Sequence, residues 1–178
     1  MGSSAGEPRT AADTAAPEVR VLVVDDSAIE RHLAGRLIEK SGGLSVLSAG
    51  DGREALEVIE QQRPAVVLTD LQMPELDGLA LVKEVRRRHP DIPVVLMTAY
   101  GSEEIAIEAL QAGAASYVPK RALASNLVST LRRVLEVAAV NRTRQRLLSS
   151  LRWTPLSSPK NGDPSLLSRQ ALVAVTLP

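Results

Sequence analysis

The chain has 178 residues, of which 44% are hydrophobic and 24% charged, an ordinary composition for a globular protein with its own core. It has no cysteine, which excludes disulfides, thiolate metal sites and cysteine nucleophiles. The 21 basic and 21 acidic residues cancel and aromatic residues make up 2%, which argues against a strongly basic nucleic-acid binder or a base-stacking platform. The apolar runs are strand-length and no secretory signal is recognisable, so we expect a cytoplasmic protein without a membrane span.

Residues 1–18 are rich in alanine, serine, glycine and proline without periodicity, which is typical of a disordered leader. After them, short apolar runs alternate with helical patterns. The runs suit strands buried on both faces, because they are nearly continuous rather than alternating. We predict five strands, at Val21–Val24, Leu44–Ser48, Ala65–Thr69, Val94–Met97 and Ser116–Val118.

A helical pattern follows each strand. In the first helix Ser27 is the expected N-cap, Glu30 occupies the capping-box position, and Lys40 precedes a terminating Ser-Gly-Gly. Its apolar face would consist of Ile29, Leu33, Leu37 and Ile38. Later helices are expected after Asp51, from about Leu79 to Arg88, after Ser102 and from near Ala122.

Five strands that alternate with five helices over about 120 residues require crossover connections. Right-handed crossovers give an α/β fold, a doubly wound five-stranded parallel sheet flanked by helices. The last helix looks longer than the domain needs, since its apolar stripe runs on into polar residues. We therefore predict a domain over residues 19–139, a helical extension over residues 140–152, and a tail over residues 153–178 without an assigned fold.

Ligands of an open parallel sheet bind beyond the carboxyl ends of its strands. The residues that follow the predicted strands there are Asp25 and Asp26, Asp70, Thr98 and Ala99, and Lys120. Three carboxylates at one edge repel one another, and a hard cation such as Mg²⁺ or Mn²⁺ relieves that repulsion. The hydroxyl, the backbone N–H and the ammonium suit a phosphoryl group, which an aspartate can accept as an aspartyl phosphate.

Four stretches carry a family resemblance: Val21–Ser27, Leu68–Gly78, Val94–Ala99 and Tyr117–Lys120. In content and order they strongly resemble the receiver domain of two-component response regulators, a flavodoxin-like fold that includes chemotaxis regulators. The resemblance covers roughly Arg20 to Ala138. It implies a switch more than an enzyme, phosphorylated by a histidine kinase or a phosphotransfer protein.

The resemblance also implies a role for each matching residue. Asp70 would be the phosphoacceptor. Asp25, Asp26, Asp70 and the backbone carbonyl of Gln72 would hold Mg²⁺, with Asp26 a more direct ligand than Asp25. Thr98, the backbone of Ala99 and Lys120 would bind the phosphoryl group. Thr98 and Tyr117 would act as the switch, and Gln72 and Tyr100 would tune hydrolysis of the phosphoryl group.

One position departs from the family pattern. Receivers usually carry a proline directly after the lysine, whereas here Pro119 precedes Lys120 and Arg121 follows it. The resemblance therefore does not fix the local backbone at Lys120. The two histidines, His32 and His89, fall on predicted helices away from the strand ends, and we expect no functional role for them.

Two alternatives stay open. One is a phosphorylation-independent scaffold that keeps only the fold, although a full set of site residues argues against it. The other is a metal-dependent aspartyl phosphatase, which needs a second acid two residues after its nucleophile, where this chain has Gln72.

We expect the output surface to be the face formed by the fourth helix, fifth strand and fifth helix, which would contact a partner or a second copy.

Residues 1–118 hold 11 basic and 19 acidic side chains, and residues 119–178 hold 10 basic and 2 acidic ones, so the zero net charge divides into −8 and +8. The final helix carries Arg132, Arg133, Arg142, Arg144, Arg146 and Arg152. We interpret these arginines as a solvated face or a partner contact, and nucleic-acid binding is not expected because no helix-turn-helix follows.

Overall fold

The computed structural model describes residues 19–99 and 103–150, and their strands form one parallel sheet. The strand order is β2-β1-β3-β4-β5, and every neighbouring pair is parallel. This confirms the predicted five-stranded doubly wound fold. The strands are β1 (Val19–Val24), β2 (Leu44–Ala49), β3 (Val66–Asp70), β4 (Val94–Thr98) and β5 (Ser116–Pro119).

Helices cover both faces of the sheet. They are α1 (Ala28–Lys40), α2 (Gly52–Gln62), α3 (Gly78–Arg88), α4 (Glu103–Ala112) and α5 (Leu123–Ser150), with a 3₁₀ turn at Lys120–Ala122 before α5. The core residues of α1 and α5 pack on one face, and those of α2, α3 and α4 pack on the other. Several strands are longer than predicted, so Asp70 and Thr98 are the last residues of their strands rather than the first residues of loops.

The core consists of two layers separated by the sheet, because successive strand residues point to opposite faces. Leu22 and Leu96 pack on the side of Ile59 and Leu81. Val23 packs on the other side, and all five of these residues are nearly or fully buried. Burial on both faces explains why the strands read as continuous apolar runs.

The predicted apolar face of α1 is partly wrong. Ile29 and Leu33 are 82% and 53% exposed, whereas the buried residues of the helix are Ala34, Gly35 and Ile38. The physical reason is close packing, since an ideal Cβ on Gly35 would already touch Val46 of β2 at 3.5 Å. Ala34 and Gly35 therefore face the sheet together with Ile38, whereas Ile29 and Leu33 lie toward solvent.

The final helix extends beyond the core, as predicted. Its buried apolar stripe is Leu127, Leu131, Val134 and Ala138, and no residue from 139 to 150 is buried. The helix has 28 residues and is about 42 Å long. None of the described helices combines the length and the apolar character that a membrane span requires. The predicted leader, the tail, Arg152 and the Ser102 cap lie outside the described residues.

Two glycine substitutions test this packing. Gly35→Ala should raise the free energy of unfolding by about 0.5–1 kcal/mol, because alanine favours a helix interior and the site has room for it. Gly78→Ala should lower it by about 1–3 kcal/mol, because the new Cβ would lie 2.2 Å from the backbone oxygen of Asp70. Urea denaturation measures both changes. Equal effects of the two substitutions would contradict the packing described for α1 and α3.

Candidate functional site

Three carboxylates meet at the carboxyl edge of the sheet. Asp25 and Asp26 directly follow β1, and Asp70 ends the neighbouring strand β3. One carboxylate oxygen from each lies within 4.8 Å of the others. Asp25 is fully buried and Asp70 is 6% exposed, whereas Asp26 is exposed. The cluster thus opens to solvent on the side of Asp26.

Lys120 brings a positive charge to two of these carboxylates. Its Nζ lies 3.0 Å from Oδ2 of Asp25 and 2.9 Å from Oδ1 of Asp70. Lys120 begins the 3₁₀ turn after β5, so its side chain reaches from the end of β5 to the carboxylates at the ends of β1 and β3. The described peptide bonds are all trans, including the one that joins Pro119 to Lys120, and Arg121 is exposed. The unusual order of proline and lysine thus still delivers the ammonium to the carboxylates.

Glu30 also contacts the ammonium of Lys120, which the sequence interpretation missed. Ser27 caps α1 as predicted, its hydroxyl accepting from the N–H of Glu30. The reciprocal half of the expected capping box is absent from the described contacts, because the N–H of Ser27 donates instead to Asp25 at 2.9 Å. The position of Glu30 in the sequence could have predicted this contact, because the first turn of a helix that follows β1 lies at the same edge of the sheet as Lys120.

Charge is unevenly compensated in this cluster. Burial raises the pKa of Asp25, and hydrogen bonds from Lys120 and from the backbone of Ser27 oppose that rise only in part. Burial acts to lower the pKa of Lys120, but hydrogen bonds to Glu30, Asp70 and Asp25 outweigh it and hold that pKa well above its usual value. The lysine therefore stays charged, and its one ammonium faces the carboxyl groups of Asp25, Asp70 and Glu30.

The loop after Asp70 is held tightly. The N–H of Leu71 donates to the carbonyl of Met97, and the N–H of Gly78 donates to the carbonyl of Leu71, each at 2.9 Å. Asp77 caps α3 by accepting from the N–H of Ala80. Glycine is required at position 78 because any Cβ would collide with the backbone of Asp70 and Leu71. These bonds fix the backbone on which Asp70 sits.

The remaining candidate residues surround the cluster at different depths. Thr98 is buried at the end of β4, whereas Ala99 is exposed. Tyr117 pairs with Leu96 across β4 and β5 and is 37% exposed. Gln72 is exposed and lines an open groove together with Asp26. Tyr100 lies outside the described residues.

Other features of the fold lie apart from this edge. His32 is exposed on α1. His89 is buried at the end of α3, with one ring nitrogen 2.6 Å from Nη1 of Arg63 and the other 3.0 Å from a carboxylate oxygen of Glu60. It therefore links α2 to α3 structurally. A cleft of about 520 Å³ lies where β4 and β5 begin, and no candidate residue within the described ranges lines it.

Comparison with known proteins identifies the family. A model of the response regulator receiver domain matches residues 21–132. The chain belongs to this family. The matched residues contain the carboxylate cluster, Lys120, most of β1, all of β2 to β5 and the first turns of α5.

Individual relatives agree with that assignment. The receiver is 41% identical over 117 residues to the transcriptional regulatory protein ZraR of Escherichia coli, a match that covers 66% of this chain and 26% of ZraR. The chain is 33% identical over 152 aligned residues to a protein-glutamate methylesterase/protein-glutamine glutaminase of Treponema pallidum, and the match covers 80% of this chain and 38% of that enzyme. The receiver domain of NtrX from Brucella abortus superposes with a TM-score of 0.62 at 34% identity, covering 65% of this chain and 98% of that domain.

The matched part is small in the full-length relatives. The chain spans about a quarter of ZraR and just over a third of the methylesterase. Those proteins differ in what their names describe, transcriptional regulation in one and an enzyme in the other. What they share with this chain is the receiver.

Replacing Asp25 by asparagine should raise the free energy of unfolding of the metal-free receiver. Because burial raises the pKa of Asp25, its ionised form is disfavoured in the folded state, and a neutral side chain of the same shape removes that cost. Lys120 keeps Asp70 and Glu30 as partners in the variant.

The pH dependence has a defined sign. A raised folded-state pKa means that the folded protein binds the proton more tightly, so wild type loses stability relative to Asp25→Asn as pH rises above 3.8 through the raised pKa. Urea denaturation from about pH 4 to about pH 7 without divalent cations measures this difference. The exposed Asp91→Asn is the matched control. A difference that stays constant over this range would contradict the prediction.

Proposed function

We propose that this receiver is a phosphoacceptor switch, in which Asp70 takes a phosphoryl group from a histidine kinase or a phosphotransfer protein in a Mg²⁺-dependent reaction. The observation that carries this proposal is the joining of the Asp70 carboxylate and the Lys120 ammonium, 2.9 Å apart, beside two further aspartates. The proposed donor places the reaction in the cytoplasm.

The residues present fit a hard divalent cation. Three carboxylates supply oxygen ligands, and a single ammonium, that of Lys120, contacts two of them. Asp25, Asp26, Asp70 and the backbone carbonyl of Gln72 would hold Mg²⁺, and Mn²⁺ suits the same ligands. The bound cation would neutralise charge on the phosphoryl oxygens.

The reaction asks mainly for positioning. A lone pair of the Asp70 carboxylate attacks phosphorus, the bond from phosphorus to the donor's imidazole nitrogen breaks, and its electron pair stays on that nitrogen. Lys120 offers an N–H donor and a positive charge to one phosphoryl oxygen. The hydroxyl of Thr98 and the N–H of Ala99 would donate to another. The exposed side chain of Gln72 would then tune attack by water, and we propose the same role for Tyr100.

Switching would follow from movement of Thr98 toward the phosphoryl group. Thr98 lies on β4 and Tyr117 on the adjacent β5, so an inward turn of the partly exposed tyrosine can accompany that movement. The face formed by α4, β5 and α5 would supply the output surface, and the exposed residues of α4 include apolar Ile107 and Leu110 and acidic Glu104. We propose that this face contacts an output partner or a second copy.

We propose a switch that assists its own phosphorylation and dephosphorylation rather than an enzyme with an external substrate. Position 72, where an aspartyl phosphatase needs a second acid, is an exposed glutamine. Nucleic-acid binding is not proposed for the described residues. The name of ZraR assigns transcriptional regulation to that protein, and the match covers 26% of it.

Phosphoryl binding can be tested with beryllofluoride, an analogue of the phosphoryl group. With Mg²⁺ it should shift the amide resonances of β4 and of Tyr117 in an NMR spectrum of the full chain. Asp70→Asn should abolish the response, because it removes the nucleophilic carboxylate. Asp91→Asn, an exposed aspartate in the loop between α3 and β4, should respond like wild type.

The same preparations separate the alternatives. If wild type shows no response to beryllofluoride or to acetyl phosphate, the protein is a scaffold and the proposal is wrong. Repeated turnover of a generic phosphomonoester with Mg²⁺ would instead show a phosphatase. One phosphoryl group per chain from acetyl phosphate, absent in Asp70→Asn, is the outcome expected of a switch.

A further inference from the structure

The contact between Glu30 and Lys120 has no part in the proposed phosphoryl chemistry. Lys120 is held by three carboxylates, of which Asp25 and Asp70 belong to the strand ends and Glu30 belongs to the first turn of α1. The side chains of Asp25 and Asp70 are 0% and 8% exposed, whereas that of Glu30 is 46% exposed. The three partners are thus unequal in how readily they can leave.

The donors of Lys120 are matched by these acceptors. A lysine ammonium has three N–H donors, and three carboxylates accept from it here. A phosphoryl oxygen that binds Lys120 therefore has to replace one of the carboxylates. Binding of the phosphoryl group and release of one existing partner are the same event.

Glu30 is the partner that can be released at least cost. Phosphorylated Asp70 keeps a carbonyl oxygen that can accept from Lys120, and Asp25 is buried and fixed by the N–H of Ser27. Glu30 is half exposed, so its carboxylate regains water when it leaves the ammonium. It also lies outside the group of carboxylates that could hold a cation.

We infer that Glu30 competes with the phosphoryl group for Lys120. In the resting receiver Glu30 occupies one donor of the ammonium, and phosphorylation of Asp70 displaces it. The competition weakens phosphoryl binding and sets a threshold for activation. It also changes the exposed first turn of α1 when the site is filled. This inference rests on the proposed function and adds a regulatory residue to that site.

Glu30→Gln tests the competition. At saturating Mg²⁺, a beryllofluoride titration of the full chain followed by NMR should give a dissociation constant about fivefold lower than in wild type, the factor that corresponds to a partly exposed ion pair. A damaged fold would weaken binding, so tighter binding is a readout that misfolding does not produce.

Two further variants separate contact from charge. Glu30→Asp keeps the charge but draws the carboxylate back by one methylene, so it should bind beryllofluoride more tightly, as Glu30→Gln does. Glu39→Gln removes one charge from the exposed last turn of α1 and should bind like wild type. If Glu30→Asp matched wild type and only Glu30→Gln bound more tightly, the charge rather than the contact would be responsible, and the competition would be refuted.

The outcomes also distinguish this inference from the proposed function. If wild type binds beryllofluoride and Glu30→Gln binds equally or more weakly, the competition is wrong while the switch stands. If neither protein binds, the proposed function fails and the inference falls with it. Binding by Glu30→Gln alone would support the competition in its strongest form.

Discussion

The site depends on one ammonium held against carboxylates from two other strands. Lys120 and Asp25 are 95 residues apart in the chain, and only the parallel sheet brings their strand ends together. Burial of Asp25 costs free energy that Lys120 offsets only in part, as the raised pKa of Asp25 indicates. The site brings three aspartates and Glu30 together around a single ammonium, and this excess of carboxyl groups is a reason for it to attract a cation.

The surrounding backbone limits how the site can answer a change in charge. The residues after Asp70 are tied to Met97 at one end and to the start of α3 at Gly78. A backbone held at two points and packed without room for a Cβ cannot shift far. A new charge at Asp70 has to be accommodated by side chains, namely those of Lys120 and its partners and that of Thr98. This is why ion-pair exchange at Lys120 is a natural place for regulation.

The sequence was sufficient for features that depend on regular periodicity and on strand ends. Strands buried on both faces give apolar runs that have no other simple interpretation, so the order of elements and the convergence of Asp25, Asp70 and Lys120 followed directly. The ends of β3 and β4 were predicted one residue short, because Asp70 and Thr98 are polar although their backbones continue the strands.

Features that depend on partners distant in sequence were missed. The rotation of α1 is set by close packing at Ala34 and Gly35, and the hydrophobicity of Ile29 and Leu33 points the wrong way. Glu30 matched a local capping box, yet its carboxylate binds a lysine 90 residues further along. The side chain of Glu30 could accept from the N–H of Ser27 in a capping box or bind Lys120, and the sequence alone does not show which of the two it does. Both failures fall on the first turns of α1, where the helix meets the site.

A structural change at the carboxyl edge of the sheet would move the exposed end of α5 if it tilted the packed part of that helix. Its packed half contacts β5 and α1, while its exposed part past Ala138 has no core of its own. Twelve residues of isolated helix are marginal in water, so that segment owes its helicity to continuity with the packed half. Because a continuous helix moves as a rigid element, a small tilt at Leu127 or Leu131 would displace the basic end at Ser150 over a lever of about 18 Å beyond Ala138. The exposed segment carries Arg142, Arg144 and Arg146 and no acidic residue, so a tilt of α5 would move these three positive charges.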